Sequence, residues 1–417
     1  MKTFYASVEC AERGLDPFTT NLVVADLTRG KNALCLAITP QMKSYGIRNR
    51  CRLSEIPAEI KYEVAKPRMK LYVDYAANIY DLYLDYFSPK DIHVYSIDEA
   101  FIDATDYLKL YQVDKFELAK KLLNEISDRF HIPATAGIGT NLYLAKIALD
   151  ISAKHEKSRY AFLDEETYRK TLWDHRPITD FWMVAKGYRD RLSSHGMYTM
   201  RDVALAPQEL LYKIFGVNAE ILIDHAWGRE PCLISDIKSY DSKSKSVSFS
   251  QILPRNYTYD EARTVLTEMV IHGAERMLYQ KVVTNRVGLY VGYGDTSIPS
   301  SKGMVKMSVT TSSSRLMMPY FQDLFTRIVI PGVKIRQIGL EFADVVDESE
   351  ESYDLFTDPE VAEKERRSER AVFNLKEKYG RNSVLRGINY VEEATQRERN
   401  EMIGGHRAGY DDDKGEG

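Results

Sequence analysis

The chain has 417 residues, 44% hydrophobic and 28% charged, with a formal net charge of −4, the balance of a folded globular protein with room for two to four domains. No run of ~18 apolar residues occurs, which excludes a helical membrane span, and the N-terminus lacks the apolar core of a secretory leader. Cys10, Cys35, Cys51 and Cys232 are scattered without a Cys-x-x-Cys pair and the eight histidines are dispersed, which argues against a zinc knuckle, a disulfide framework or a histidine metal site and points to a reducing, cytoplasmic setting.

Residues 1–10 read as the end of a strand entering a helix. Residues 21–40 read as a hairpin of two apolar runs around Thr28-Arg29-Gly30-Lys31. Apolar spacing predicts a helix over 67–87. A second hairpin follows over 91–105, then helices over 114–130 and 141–153 with a strand at 134–139 between them. Gly139 and Asn141 mark its strand-to-helix turn. From about 174 the texture changes to short helices (178–182, 186–195, 201–204, 207–215 and 217–227), a small all-helical domain. The polar stretch 239–246 reads as a flexible linker. From 246 to 345 strands (246–253, 285–293, 302–310, 334–342) alternate with helices (260–281, 319–328), predicting an α+β domain with an antiparallel sheet. Beyond 345 a helix is expected over 371–379 and disorder over 404–417. This tail holds 12 basic against 19 acidic residues, so the preceding 345 residues carry a net +3, a balance compatible with a nucleic-acid partner.

The run Tyr95-Ser96-Ile97-Asp98-Glu99-Ala100-Phe101-Ile102-Asp103 is the most informative segment. It places two adjacent acids in an apolar, strand-like stretch. Neighbouring strand residues point to opposite faces, so if both faces are covered the acids are buried and need a cation. Mg²⁺, held by one or two carboxylates and substrate phosphates, is the natural candidate. The alternative is a tight hairpin whose turn carries two solvated acids.

Several landmarks occur in a fixed order: Phe4-Tyr5-Ala6-Ser7-Val8-Glu9, Met42-Lys43-Ser44-Tyr45-Gly46-Ile47, the acidic segment, Gly137-Ile138-Gly139-Thr140-Asn141, Leu144-Ala145-Lys146-Ile147-Ala148 and Ala153-Lys154. With the helical and α+β domains that follow, this series resembles the Y-family, translesion DNA polymerases. It is most similar to the UmuC/UvrX-like branch of Gram-positive bacteria, which the tail segment 398–406 also resembles. The resemblance implies an α+β right-hand polymerase: palm at 1–10 and 70–173, fingers at 11–69, thumb of helix-hairpin-helix character at 174–235, linker at 236–245, little finger at 246–345, and an acidic, partly disordered tail at 346–417.

The activity implied is error-prone, DNA-directed DNA synthesis across lesions in DNA repair and SOS mutagenesis, on primer-template DNA with dNTPs. Asp98 and Glu99 match the catalytic carboxylates that hold two Mg²⁺ ions, joined by the backbone carbonyl of Met1. Asp103 is assigned a structural role. Tyr5 matches the steric gate against a 2′-hydroxyl, with Phe4 packed between sugar and core. Lys43 and Lys154 match the cations on the triphosphate. Lys43 stands where Arg is common, and Pro40 replaces a phosphate-binding Tyr. Lys146, Lys186, Gly187, Lys243, Lys245 and Arg255 are candidate DNA contacts, non-specific and salt-sensitive. Val184-Ala185-Lys186-Gly187 stands where the family has a Gly-x-Gly hairpin.

Tyr353, Leu355 and Phe356 resemble a sliding-clamp docking peptide, with Ser352 in place of the usual leading Gln. An accessory mutagenesis subunit or recombinase filament is a further partner for some relatives. One departure stands out. The family's third metal aspartate would fall immediately before Met1, and Lys2 is no substitute. The expectation is a start site upstream of Met1; the alternatives are a truncated chain with impaired metal affinity and rate, or a non-catalytic adaptor binding damaged DNA and the clamp. A palm-type nucleotide cyclase would account for the paired acids but for neither the thumb nor the clamp-like peptide.

Overall fold

The computed structural model describes residues 1–154, 156–242, 245–355 and 357–409. Lys243 and Phe356, two of the candidate binding residues, lie outside them. The described residues form two compact units, one within 1–240 together with 409 and one within 241–408. Among the described residues no helix is long and apolar enough to cross a membrane.

The first unit begins with helix α1 (Phe4–Glu12), which packs on a small sheet of β1 (Leu22–Val24), β2 (Ala37–Ile38) and β3 (Glu63–Ala65). The sheet order is β2-β1-β3, antiparallel to β2 and parallel to β3. Short helix α2 (Pro40–Ser44) follows β2; Thr39 caps it by accepting from Met42 N, and Pro40 occupies its first turn, where its missing N–H costs nothing. Helix α3 (Met69–Leu84) leads into the hairpin β4 (Ile92–Ser96) and β5 (Glu99–Ile102), then α4 (Thr105–Tyr111) and α5 (Lys115–Phe130). Asp103 accepts from Thr105 N and Oγ1, which fixes the turn between β5 and α4.

Strand β6 (Ala136–Gly139) pairs in parallel with β7 (Tyr160–Leu163) around α6 (Leu142–Ile147) and a π-helical turn, Ala148–Ala153. The sequence predicts one regular helix there; the structure widens its second half. Gly137 and Gly139 make the close packing possible. A Cβ on Gly137 would fall 2.1 Å from the Ala145 carbonyl oxygen, and one on Gly139 2.2 Å from Ala145 N. Only a hydrogen side chain lets β6 lie against this helix.

Helices α7 (Glu165–Thr171), α8 (Lys186–Ser193), α9 (Met200–Leu205), α10 (Gln208–Phe215) and α11 (Ala219–Ala226) share a core with α6 that includes Tyr143, Tyr168 and Phe181. Residues 236–239, expected to be linker, belong instead to helix α12 (Ile234–Ser239), whose Lys238 donates to the Pro89 carbonyl.

In the second unit β8 (Val247–Tyr257), α13 (Tyr259–Gln280), β9 (Val282–Tyr293), β10 (Ser301–Thr311), α14 (Ser314–Ile328) and β11 (Ile335–Ala343) build an antiparallel sheet of order β10-β9-β11-β8, to which β12 (Val346–Asp347) adds beside β9. Both long helices pack on one face around Met269, Phe321, Phe325 and Phe342.

The tail is more ordered than its composition predicts. It forms α15 (Pro359–Tyr379), α16 (Gln396–Asn400) and a hairpin of β13 (Met402–Ile403) and β14 (His406–Arg407), so the disorder expected from 404 does not hold for 404–407. Glu268 on α13 is the reason for part of this order. Its carboxylate is buried and accepts from Asn389 Nδ2 at 2.7 Å, Thr395 N at 2.7 Å and Gln396 N at 3.2 Å. Ion pairs Arg366–Glu348, Arg315–Glu365 and Lys376–Glu275 spread the remaining charge over the contact.

Helix α1 is anchored through Glu9, which is fully buried. It accepts from Arg68 Nε and Nη2 at 3.0 and 2.8 Å, from Tyr72 Oη at 2.7 Å, and from Arg13. Burial opposes the charge on Glu9, but the bonds from Arg68, Arg13 and Tyr72 outweigh it and hold its pKa below the usual carboxylate range. Removing one partner of such a buried pair costs roughly 3–5 kcal/mol. Glu9→Gln is therefore expected to lower stability by about 3 kcal/mol, read from the urea midpoint of the first unfolding transition. Folding lowers this pKa, so the contribution is full above the ordinary value of about 4.3 and is lost as pH falls through the depressed folded value. The gap between wild type and Glu9→Gln should close on acidification; a gap that widens would contradict the assignment.

Candidate active site

Asp98 and Glu99 lie at a hairpin end, not inside a covered strand. Ile97 and Asp98 form the turn, and Glu99 opens β5 opposite Ser96. Both acids are half-buried. Ser96 Oγ donates to Asp98 Oδ1 at 2.9 Å, and Lys146 Nζ donates to Glu99 Oε2 at 2.5 Å. The turn thus presents the two acids side by side, with solvent on one side and a lysine on the other.

Lys146 was expected to touch DNA, but the structure corrects this. It is 7% exposed and lies between Glu99 and Asp150, 3.2 Å from the latter. Burial pulls its pKa down, and the two carboxylates more than compensate, so the net shift is upward and the side chain stays charged. Asp150 also binds Lys154, at 2.8 Å. The result is an alternating series, Glu99–Lys146–Asp150–Lys154, running from the hairpin to the end of the π-helical turn.

Lys154 belongs to a second group of cations. Lys2 Nζ donates to its carbonyl oxygen at 3.2 Å. Partial desolvation lowers the pKa of Lys43, and the Lys154 and Lys2 charges lower it further. Lys2 is lowered by desolvation, then by Lys154 and Arg159. Lys43 has no ion pair among the described residues. Like charges held this close mark a place where an anion relieves repulsion. Lys154 links this group to Met1, whose backbone nitrogen donates to the Asp98 carbonyl oxygen at 2.6 Å and lies within electrostatic reach of Asp98, Glu99, Lys146 and Lys154.

Tyr5 borders this group. Its ring stacks on Tyr72 with centroids 4.6 Å apart. Burial raises its phenol pKa, Asp98 raises it further, and Arg50 opposes the shift. Phe4 takes the core side of its expected place. It is 3% exposed and packs in the core of α1, α3 and β1, because adjacent residues of a helix point about 100° apart and only one can face the cleft.

Two carboxylate oxygens, Asp98 Oδ2 and Glu99 Oε1, have no hydrogen-bond partner among the described residues. Adjacent, half-exposed and hard, they fit a divalent cation that completes its shell with phosphate and water. Among the described residues no cluster of three or more His, Cys, Asp or Glu side chains forms.

The remaining candidates are more dispersed. Lys186 and Gly187 open α8, where Ala185 provides no side-chain cap and a Cβ on Gly187 would meet no atom within 4 Å; free backbone N–H groups are left at an open surface. In the second unit Arg255 pairs with Glu261 at 2.8 Å and lies over the Tyr257 ring, while Lys245 pairs with Asp241 at 2.8 Å. Tyr353 is half-buried and Leu355 is fully exposed. Sequence reasoning missed Asp150, Lys2 and Arg50. The four-residue spacing of Lys146, Asp150 and Lys154 was a usable signal for Asp150, since it places all three on one helical face.

The impB/mucB/samB family signature matches residues 1–150, and that of its C-terminal domain matches 244–355. The chain is 31% identical to UvrX of Bacillus subtilis (strain 168), described by its name as a UV-damage repair protein, over 98% of this chain and 96% of that one. It is 28% identical to DNA polymerase IV 2 of the same organism over 97% of both chains. Its fold is similar to a solved chimera of the Y-family DNA polymerase Dbh, with a TM-score of 0.64 at 20% identity, covering 83% of this chain and 97% of that one. With a hairpin carrying paired acids, a lysine cluster beside it and the family's signatures at both ends, the chain belongs to the impB/mucB/samB family of Y-family DNA polymerases.

Proposed function

We propose that this chain is an error-prone, DNA-directed DNA polymerase that extends primers across damaged template bases. The observation that carries the reading is that Asp98 and Glu99 come together with Lys154 around Met1, with Lys2 and Lys43 near Lys154 and Tyr5 near Asp98. Acids beside a cation cluster suit a metal-bound triphosphate, in which both signs of charge must be met within a few ångströms. Asp98 and Glu99 would hold Mg²⁺, two ions in this reading, with the Met1 carbonyl as a further ligand. Bound there, the metal would lower the pKa of the primer 3′-hydroxyl and offset the charge of the leaving pyrophosphate.

Lys43, Lys154 and Lys2 draw the triphosphate in by charge. Lys43 acts as a point charge rather than the two-pronged contact an Arg would give. The Tyr5 ring, braced by Tyr72, leaves no space for a 2′-oxygen. The backbone N–H groups at Lys186 and Gly187 would grip a phosphate without reading sequence, and Lys245 and Arg255 would follow the duplex backbone from the second unit. This work belongs in the cytoplasm, where chromosomal DNA and a recombinase filament or accessory subunit are available.

Leu355 supports docking to a sliding clamp. An exposed leucine in an acidic segment gains most when a partner buries it. Ser352 pairs with Thr310 on β10, and Asp358 caps α15, so paired residues stand on either side of Tyr353 and Leu355 in the sequence.

Primer extension on undamaged and lesion-bearing templates tests the activity. Wild type should add dNTPs in the presence of Mg²⁺, and Asp98→Ala or Glu99→Ala should lose at least about 10³-fold in kcat, the scale of losing a principal electrostatic group. DNA binding by wild type without any incorporation would support the adaptor instead. Tyr5→Ala should raise ribonucleotide incorporation by ten-fold or more relative to dNTP, on the scale of a removed steric exclusion; unchanged discrimination would remove Tyr5 from the gate. Replacing Leu355 and Phe356 with Ala should abolish capture by immobilised clamp while leaving clamp-free extension intact, and undiminished capture would exclude this peptide.

A further inference from the structure

Asp150 has no role in the reading above, although it touches two of the lysines that do. Its carboxylate lies 3.2 Å from Lys146 Nζ and 2.8 Å from Lys154 Nζ. It sits on the π-helical turn, four residues from each lysine, and β6 packs against that turn through Gly137. Lys146 is therefore shared between two carboxylates, Asp150 and Glu99, and it is too buried to leave for solvent. Its ammonium holds Glu99 Oε2, next to Oε1, the oxygen left open to a divalent cation. A cation arriving at Glu99 must displace this ammonium or sit against it, and either is unfavourable unless Lys146 has another carboxylate within reach.

We propose that Asp150 is a positioning residue that retains Lys146 when Glu99 takes up a metal, and at the same time orients Lys154 toward the triphosphate. This rests on Glu99 being a metal carboxylate. It assigns Asp150 two separable effects. Without Asp150, Lys146 has Glu99 as its only carboxylate and competes more strongly with the cation. Lys154 also loses its only ion pair among the described residues, and its ammonium is no longer held in one place.

Binding of Mn²⁺ to the free protein, followed by the loss of the aqueous ion's paramagnetic resonance signal, tests the first effect without catalysis. Asp150→Asn should weaken Mn²⁺ binding about ten-fold, the factor given by about 1.4 kcal/mol. Lys146→Gln alone should bind Mn²⁺ at least as well as wild type, and adding Lys146→Gln to Asp150→Asn should restore binding. The double variant should still show a raised KM for dNTP with little change in kcat, because the Lys154 defect persists, whereas Asp150→Glu should rescue both properties. A general folding defect would not be repaired by a second substitution. Mn²⁺ binding by Asp150→Asn equal to wild type, or a double variant no better than Asp150→Asn, would overturn the proposal while leaving the metal site intact. Mn²⁺ binding by wild type that is insensitive to Glu99→Gln would instead remove the metal reading of Glu99, and this inference with it.

Discussion

The site depends on keeping two acids and several lysines in one small volume without either sign crowding itself. Two like charges about 4 Å apart repel by about 1 kcal/mol in water and about 4 kcal/mol at the effective dielectric of a protein surface. The chain meets this by alternation. From Glu99 through Lys146 and Asp150 to Lys154, every charge has opposite neighbours at 2.5 to 3.2 Å. Such a series is held by backbone rather than by side-chain reach. The hairpin fixes Glu99, and the widened helical turn fixes Asp150. The side-chain-free faces of Gly137 and Gly139 let β6 press the helix into place. The two sequence features that look unrelated, a pair of acids and a Gly-x-Gly strand, are thus parts of one electrostatic arrangement.

Tyr5 is placed by a different device. A helix of nine residues is short for independent stability, and α1 gains its orientation from Glu9, whose buried carboxylate is met by Arg68, Tyr72 and Arg13. Tyr72 serves twice. Its hydroxyl binds Glu9, and its ring supports Tyr5. This shared tyrosine couples the position of the Tyr5 ring to the anchoring of the helix that carries it.

Elements with strong local signals were legible in the sequence. The helix over 114–130 carries Asp114 and Glu117 as a capping box and is found at Lys115–Phe130. The strands and helices of 246–345 are found within a few residues of their predicted places, except that α14 begins five residues before Pro319, because the proline sits in its second turn rather than its first. The hairpin around the paired acids was legible and is found as β4 and β5, whereas the degree of cover around the acids was not. A run of apolar residues reads as covered strand, whereas the turn at Ile97 and Asp98 exposes half of it. Lys146 was misplaced for a similar reason. A lone lysine on a helix usually faces solvent, and nothing local shows that two acids, one of them 47 residues away in sequence, will meet it. Non-local charge pairing is a property of the fold, and only the four-residue spacing to Asp150 gave a local trace of it.

The tail shows the same limit from the other side. Its composition has too few apolar residues for a core of its own, which is the signature of disorder. It orders because its polar groups are satisfied by another element. Glu268 caps the approach to α16 from within α13, and arginines on α15 pair with acids that precede it. Net negative charge in this segment is therefore not uniform repulsion but one half of a set of pairs. A consequence follows for Leu355. A peptide in a free tail must surrender its conformational freedom when a partner takes it, at a cost of about 1–2 kcal/mol per residue. Ser352, three residues before Leu355, is already paired with β10, so an exposed leucine at this point is presented to a partner at a smaller entropic cost than the same residue at a loose end.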